Sequence, residues 1–354
     1  MKRFGFPVFL LASVLSGLIV PVQVHAAPVR VFVASTGADV NVASGCALAT
    51  PCRTFANALP AVAPGGEVVV LDTAGYGPAA ITQSVSIVAP KGVFAGVFVP
   101  SNADGFRINA PGASVVLKGL SIIGDFTGAN GINILSAQSV RVEDCEFEKL
   151  TNGISYGAAP TALSALTVAG STFVFNGHAV NLTFTLPYPG FQFLTARIER
   201  SNFEFDSYGI WAQDGVDLSV SDTTLHNELY AIRVETVASG GFSQAKIDRV
   251  HATANFYSMV FSAASNPSGV NAFVSRSTLN GEYFANSGTE VGLDASGIAG
   301  GRALVAVDAC QFVATDNFGV MVTQALVESN GNNVFLNNVQ DVNDVSKYVS
   351  STLQ

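Results

Sequence analysis

A degenerate unit that recurs along the chain restricts the fold more than any other feature of the sequence. Its first part reads VLKGLSI (116–122), RVEDCEF (141–147), TVAGSTF (167–173), RIERSNF (197–203) and SVSDTTL (219–225). It continues as KIDRVHA (246–252), FVSRSTL (273–279) and AVDACQF (306–312), with LVESN (326–330) as a last partial copy. Aligned on its fifth position, the unit returns after 25, 26, 30, 22, 27, 27, 33 and 20 residues. The second position is aliphatic from Leu117 to Val327, and the seventh is apolar, with Phe147, Phe173, Phe203 and Phe312 expected to stack. Positions one, three and six carry most of the charged and amide groups. Alternation of period two on both sides of a bend at position four describes two short, half-buried strands.

A second part of the unit follows: NGINI (130–134), NGISY (152–156), HAVNL (178–182), YGIWA (208–212), YAIRV (230–234), YSMVF (257–261) and FGVMV (318–322). It reads as a third strand entered through a small residue, with Asn176, Asp206, Glu228, Asn255 and Asp316 marking a polar turn just ahead of it. Three short strands cannot bury a core alone, but stacked on similar neighbours they can. The fold expected is all-β: a right-handed parallel β-helix of about ten coils, roughly 50 Å long at about 4.8 Å per coil. Composition agrees. With 49% hydrophobic and 12% charged residues the chain is not disordered, and Lys+Arg 17 against Asp+Glu 26 excludes a basic nucleic-acid binder. Thirty-four glycines disfavour a long helical bundle.

This pattern resembles the pectin-lyase-like β-helix superfamily. Pro51-Cys52-Arg53-Thr54-Phe55, a short helix to about Ala63, and Gly65-Gly66-Glu67-Val68-Val69-Val70-Leu71-Asp72 look like the opening of exported bacterial β-helix proteins without an assigned activity. The resemblance covers nearly the whole mature chain and is specific for fold; a fold hosts many chemistries.

The boundaries expected are a signal peptide over 1–26, an N-terminal segment with a capping helix over 27–66, the β-helix over 67–340, and a C-terminal cap or tail over 341–354. Lys2 and Arg3 precede an apolar run from Phe4 to Val20, and Val24-His25-Ala26 offers a cleavage site before Ala27. Cleavage removes two of 17 basic residues, leaving 15 against 26 acidic ones and a net charge of −11. A secreted or periplasmic protein without a membrane anchor in its mature chain is expected. Export permits a Cys46–Cys52 disulfide, while Cys145 and Cys310 are read as small core residues. In the capping helix, expected over 54–63, Phe55, Ala58, Leu59 and Val62 share one face, and Pro60 should kink or shorten it.

In the superfamily, substrate lies along the outer face of the third strand. That face here presents Asn133, Ser155, Asn181, Trp211, Arg233, Val260 and Met321, with Thr183, Gln213 and Glu235 two residues on. The longest insertions, 183–192, 236–243 and 262–269, follow this strand and are expected to rise beside it. Trp211, the one Trp of the chain, has two readings: a sugar platform between Asn181 and Arg233, or a ring covered by a loop as part of a small side core. Tyr208, Tyr230 and Tyr257 are expected to stack in the core at a corner.

Ligand-binding candidates are therefore Trp211, Asn181, Arg233 and Gln213; the catalytic candidates are Arg233, Glu235 and Asp214. No metal ligand set or cofactor is read. Calcium, which takes six to eight oxygen ligands, enters only if the protein is a lyase. The paired aspartates of polygalacturonases and the Asp-Pro-His-Asp pattern of alginate epimerases are absent. Arg200, Asp222, Arg249 and Arg276, with Glu199 and Asp248, read as a ladder of surface ion pairs. Two functions follow: a polysaccharide- or cell-surface-glycan-binding or structural role, or turnover by a divergent polysaccharide lyase, glycoside hydrolase or epimerase site.

Overall fold

The computed structural model describes residues 27–156, 158, 162–183, 193–264, 267–281, 290–298, 300–313 and 317–350. The expected signal peptide, 1–26, lies outside them, as do Asp316 and the last four residues. The fold is a right-handed parallel β-helix. Leading and middle strands of the coils, such as Ser139–Glu143 and Glu146–Glu148, build one sheet of 22 strands. Closing strands, such as Asn152–Tyr156, build a second sheet of 11. Stacking begins with Arg30–Val33 on Gly66–Val70 and ends with Tyr348–Ser350 on Leu326–Ser329.

The bend at position four has one cause throughout. Gly119, Asp144, Gly170, Arg200, Asp222, Arg249, Arg276 and Ala309 all adopt positive φ, between 49° and 71°. A single left-handed residue turns the chain between leading and middle strand and keeps the alternation in phase on both sides. The second position is a continuous buried column: Leu117, Val142, Val168, Ile198, Val220, Ile247, Val274 and Val307 pair coil to coil. The last partial copy departs from the expected register. Val327 pairs with Val305 and Ser329 with Val307, two residues off the sequence alignment, which leaves the inward parity intact.

Phe147, Phe173 and Phe203 stack with centroids 4.7 Å apart at both steps and are fully buried. Phe312 does not join them. Leu225, Ala252 and Leu279 occupy the intervening coils, and Phe312 stacks instead on Phe335 at 4.8 Å. The fifth position is a ladder of small polar groups: Ser171 Oγ accepts the Cys145 N–H, Ser201 Oγ that of Ser171, and Ser277 Oγ that of Val250. Cys145 and Cys310 belong to this column and are buried.

At the N-terminus the α-helix is shorter than expected, Phe55–Ala58. Pro60 has no N–H to donate and ends it. The lid still works as the spacing implied: Phe55, Ala58, Leu59 and Val62 are all buried, with Phe55 against Tyr76 and Phe106. Thr54 Oγ1 caps the helix by accepting the Asn57 N–H, and Cys46 is bridged to Cys52 beside it. The opposite end is less covered: Val339 and Val345 are 77% and 76% exposed. Among the described residues, no helix is long and apolar enough to cross a membrane.

Candidate functional site

Each closing strand is entered through a residue with no room for a large side chain. A Cβ on Gly209 would lie 2.6 Å from the carbonyl oxygen of Ala231 and 2.7 Å from Leu225 Cδ2. The residue before this point is half-buried in each of these coils. This corrects the sequence reading: Tyr208, Tyr230 and Tyr257 stack, with centroids 4.9 and 5.0 Å apart, but on the outer face, half-buried, and not in the core. His178 extends the column from the preceding coil, 4.8 Å from Tyr208. Burial holds its imidazole below the ordinary value, and burial raises the phenols of Tyr230 and Tyr257.

On the N-terminal coils the same position carries Asp104, Asn130 and Asn152, in register with His178. They form a chain of side-chain hydrogen bonds. Asn181 Nδ2 donates to Asn152 Oδ1 (3.0 Å), Asn152 Nδ2 to Asn130 Oδ1 (3.0 Å), and Asn130 Nδ2 to Asp104 Oδ1 (2.6 Å). Asn181 Oδ1 accepts from the Thr183 amide and hydroxyl. The candidate Asn181 is thus the end of an amide ladder.

Three residues further along the strand, Asn181, Trp211, Arg233, Val260, Asp294 and Met321 are in register on successive coils. Here four of the sequence candidates close on one another. Trp211 Nε1 donates to Glu235 Oε1 (2.9 Å), and Gln213 Nε2 donates to the same oxygen (3.1 Å). Arg233 donates from Nε (2.9 Å) and Nη2 (2.7 Å) to Glu235 Oε2. The guanidinium carbon lies 5.3 Å from the Trp211 ring centroid and 5.2 Å from that of Tyr230. Trp211 also stacks on Tyr208 at 4.8 Å and His178 at 5.4 Å. Rings and a guanidinium therefore pack on Trp211, which is half-buried. Residues 184–192, most of the insertion expected beside it, lie outside the described residues.

Asp214 is placed elsewhere. Its carboxylate accepts the backbone N–H groups of Val237 and Ala238, both at 3.1 Å, and pins the turn that follows Thr236. Burial raises its pKa. It is a turn-holding group, not a second carboxyl facing Glu235. The sequence reading placed Glu235 as the one carboxylate on this face and missed Asp294, which opposes Val260 in the strand Val291–Gly297. The copy VGLDA was hidden because ten residues, 281–290, separate it from the preceding middle strand. Burial pushes the Asp294 carboxyl up to about 6 against the pull of Arg233, and its Oδ1 has no hydrogen-bond partner. Among the described residues, no three His, Cys, Asp or Glu side chains converge so as to hold a metal ion.

The charged bend column is the expected ion-pair ladder. Arg200 meets Glu199 at 2.8 Å, Arg249 bridges Asp222 (2.6 Å) and Asp248, and Arg276 meets Asp248 at 2.5 Å. These pairs lie on the other sheet, away from the rings.

No protein-family model and no curated protein sequence matches the chain. One similar solved structure is the crystal structure of pectate lyase Pel9A, at 13% identity and a TM-score of 0.46, over 92% of this chain and 78% of that one.

Proposed function

We propose that the protein is an exported β-helix that binds an extended, neutral glycan along the outer face of its closing-strand sheet. The observation that carries this reading is the row of Tyr208, Tyr230 and Tyr257. Their rings stack at one coil spacing, and their hydroxyls take part in no hydrogen bond among the described residues. Stacked rings offer edges and hydroxyls, so a sugar chain running across the coils meets a repeating set of donors and acceptors, continued by the amides of Asn152 and Asn181. Trp211, Gln213, Arg233 and Glu235 form the stiff margin of this strip. Both Glu235 oxygens are already committed and the Arg233 charge is paired, which leaves little to attract a polyanion; a net charge of −9 acts in the same direction.

Turnover by a lyase, hydrolase or epimerase draws support from one residue, Asp294, whose raised pKa suits proton donation. Hydrolysis generally needs a second carboxyl across the scissile bond, and Asp214 is turned to the backbone.

A glycan array read with Trp211 fluorescence tests the proposal. Binding of neutral glycans with a change in Trp211 emission is expected, and an Asn181→Ala/Arg233→Ala protein should bind more weakly. A folded sample that binds no glycan on a broad array would overturn it. New ultraviolet absorbance or reducing ends from any polysaccharide would replace it with the enzymatic reading.

A further inference from the structure

The corner ahead of the closing strands is built to a rule. In one coil, Asn176 Oδ1 accepts the Leu150 N–H (3.1 Å) of the coil before, while its Nδ2 donates to the Phe147 carbonyl (3.2 Å). Asn255 repeats this, accepting from the Glu228 N–H (2.8 Å) and donating to the Leu225 carbonyl (3.2 Å). Asn338 donates to the Phe312 carbonyl (3.1 Å). Asn176 and Asn255 thus each serve one buried acceptor and one buried donor, as buried backbone groups require.

Two successive rungs break the rule in composition. Asp206 and Glu228 stand between Asn176 and Asn255, 3% and 0% exposed. Asp206 Oδ1 does the accepting half of the work, taking the Asn176 backbone N–H (2.6 Å) and Nδ2 (2.9 Å). Asp206 Oδ2 and both Glu228 oxygens have no hydrogen-bond partner; the Asp206 N–H points toward Glu228 without closing a well-formed bond. By the register of the middle strands, the acceptors that an amide would serve here are the carbonyls of Phe173 and Phe203. A carboxylate has no hydrogen to give them. A carboxylic acid has one donor and one acceptor, and reproduces the amide.

We propose that Asp206 and Glu228 are a proton-carrying acid pair that completes an otherwise amide-built ladder, and that removing those protons loosens the corner under Tyr208, Trp211 and Tyr230. The latch goes beyond glycan binding and does not depend on it.

The surroundings supply no counter-charge. Glu204, in the same coil, adds repulsion to both groups. His226 is in register with Glu204 but turns Nδ1 to the Thr253 carbonyl and hydroxyl, at 3.1 and 3.0 Å. Lys149 and Glu148, two coils back, pair with each other. Among the described residues no Lys or Arg forms an ion pair with either acid. Burial raises both carboxyls, Asp206 to about 8, and for Glu228 the proximity of Asp206 adds to the effect. Groups whose folded pKa exceeds the unfolded value favour the fold at low pH, and that contribution is withdrawn as pH rises through the folded value. The latch therefore holds while both acids keep their protons and yields as rising pH removes them.

The test compares the wild-type protein with Asp206→Asn/Glu228→Gln by thermal unfolding between about pH 6 and about pH 10, with infrared detection of protonated carboxyl groups. The wild-type midpoint should fall by several degrees more than that of the variant across this range. Wild-type protein should show a protonated-carboxyl band at neutral pH that the variant lacks. Parallel pH profiles, or no such band in the wild type, would overturn the proposal. If the double variant does not fold, the infrared titration of the wild type decides alone: a band present at neutral pH that disappears as the pH is raised supports the latch, and no band at neutral pH overturns it.

Discussion

Replacing Glu235 with Gln is the sharpest probe of the strip, because the change is nearly isosteric and its cost can be worked from the contacts. Glu235 receives donors on both oxygens: Trp211 Nε1 and Gln213 Nε2 on one, Arg233 Nε and Nη2 on the other. A glutamine must set its own NH₂ against one of these sets, whichever way the amide is turned. It also removes the counter-ion of Arg233. Breaking a buried ion pair by removing one partner costs about 3–5 kcal/mol. The Arg233 side chain keeps 26% of its exposure against 8% for Glu235, so water recovers part of this. A net loss of about 2–3 kcal/mol follows. At this chain length that corresponds to a fall of about 3–4 °C in the unfolding midpoint. Trp211 should report the same event, since its indole N–H loses a charged acceptor and the guanidinium is freed. Circular dichroism melts and Trp211 emission, run with Arg233→Met and the double variant, complete a cycle. Coupling of at least about 1 kcal/mol is expected between the two sites. A midpoint within about 1 °C of wild type, with unchanged emission, would refute the reasoning that a committed carboxylate holds this cluster.

Two further outcomes test the core and the surface. Phe173→Ala removes the middle ring of the Phe147–Phe173–Phe203 stack and should cost about 4–5 kcal/mol in denaturant titration, more than the same change at Phe312, which among the described residues stacks on Phe335 alone. Arg249→Ala removes two ion pairs of the bend ladder, but they are half-exposed, so the loss should stay below about 1 kcal/mol and shrink with added salt.

The coil pattern was legible because side-chain parity is a strict consequence of strand geometry. Leu117 to Val307 could be aligned by eye, and the left-handed bend explains why the alternation survives position four even where Arg or Asp occupies it. Register at 326–330 was less legible, since a two-residue slip preserves parity and leaves no mark in an apolar pattern. The tyrosines were misplaced because an aromatic residue beside a small one suits a corner core as well as an outer stack, and spacing does not separate the two; here the rings stack coil to coil on the outside. The candidates Trp211, Arg233, Gln213 and Glu235 could be grouped from period-two counting on two adjacent strands. Asp214 could not be separated from them, because it and Gly215 both take positive φ and turn the chain out of the strand, and sequence distance carries no trace of that. The acid rungs Asp206 and Glu228 stood out only as polar turn residues; their orphaned oxygens follow from contacts between coils that spacing does not encode.

The unequal closure of the two ends gives the stack a direction. Each coil touches only its neighbours, so its persistence depends on the coil above and the coil below. The first coils are clamped by the Phe55 lid and the Cys46–Cys52 bridge, whereas the last present Val339 and Val345 to water. Among the described residues, then, the C-terminal coils are held by stacking on their neighbours without a matching clamp and should open before the first coils do. The strip from His178 to Tyr257 sits in the middle of that order, shielded by several sacrificial turns.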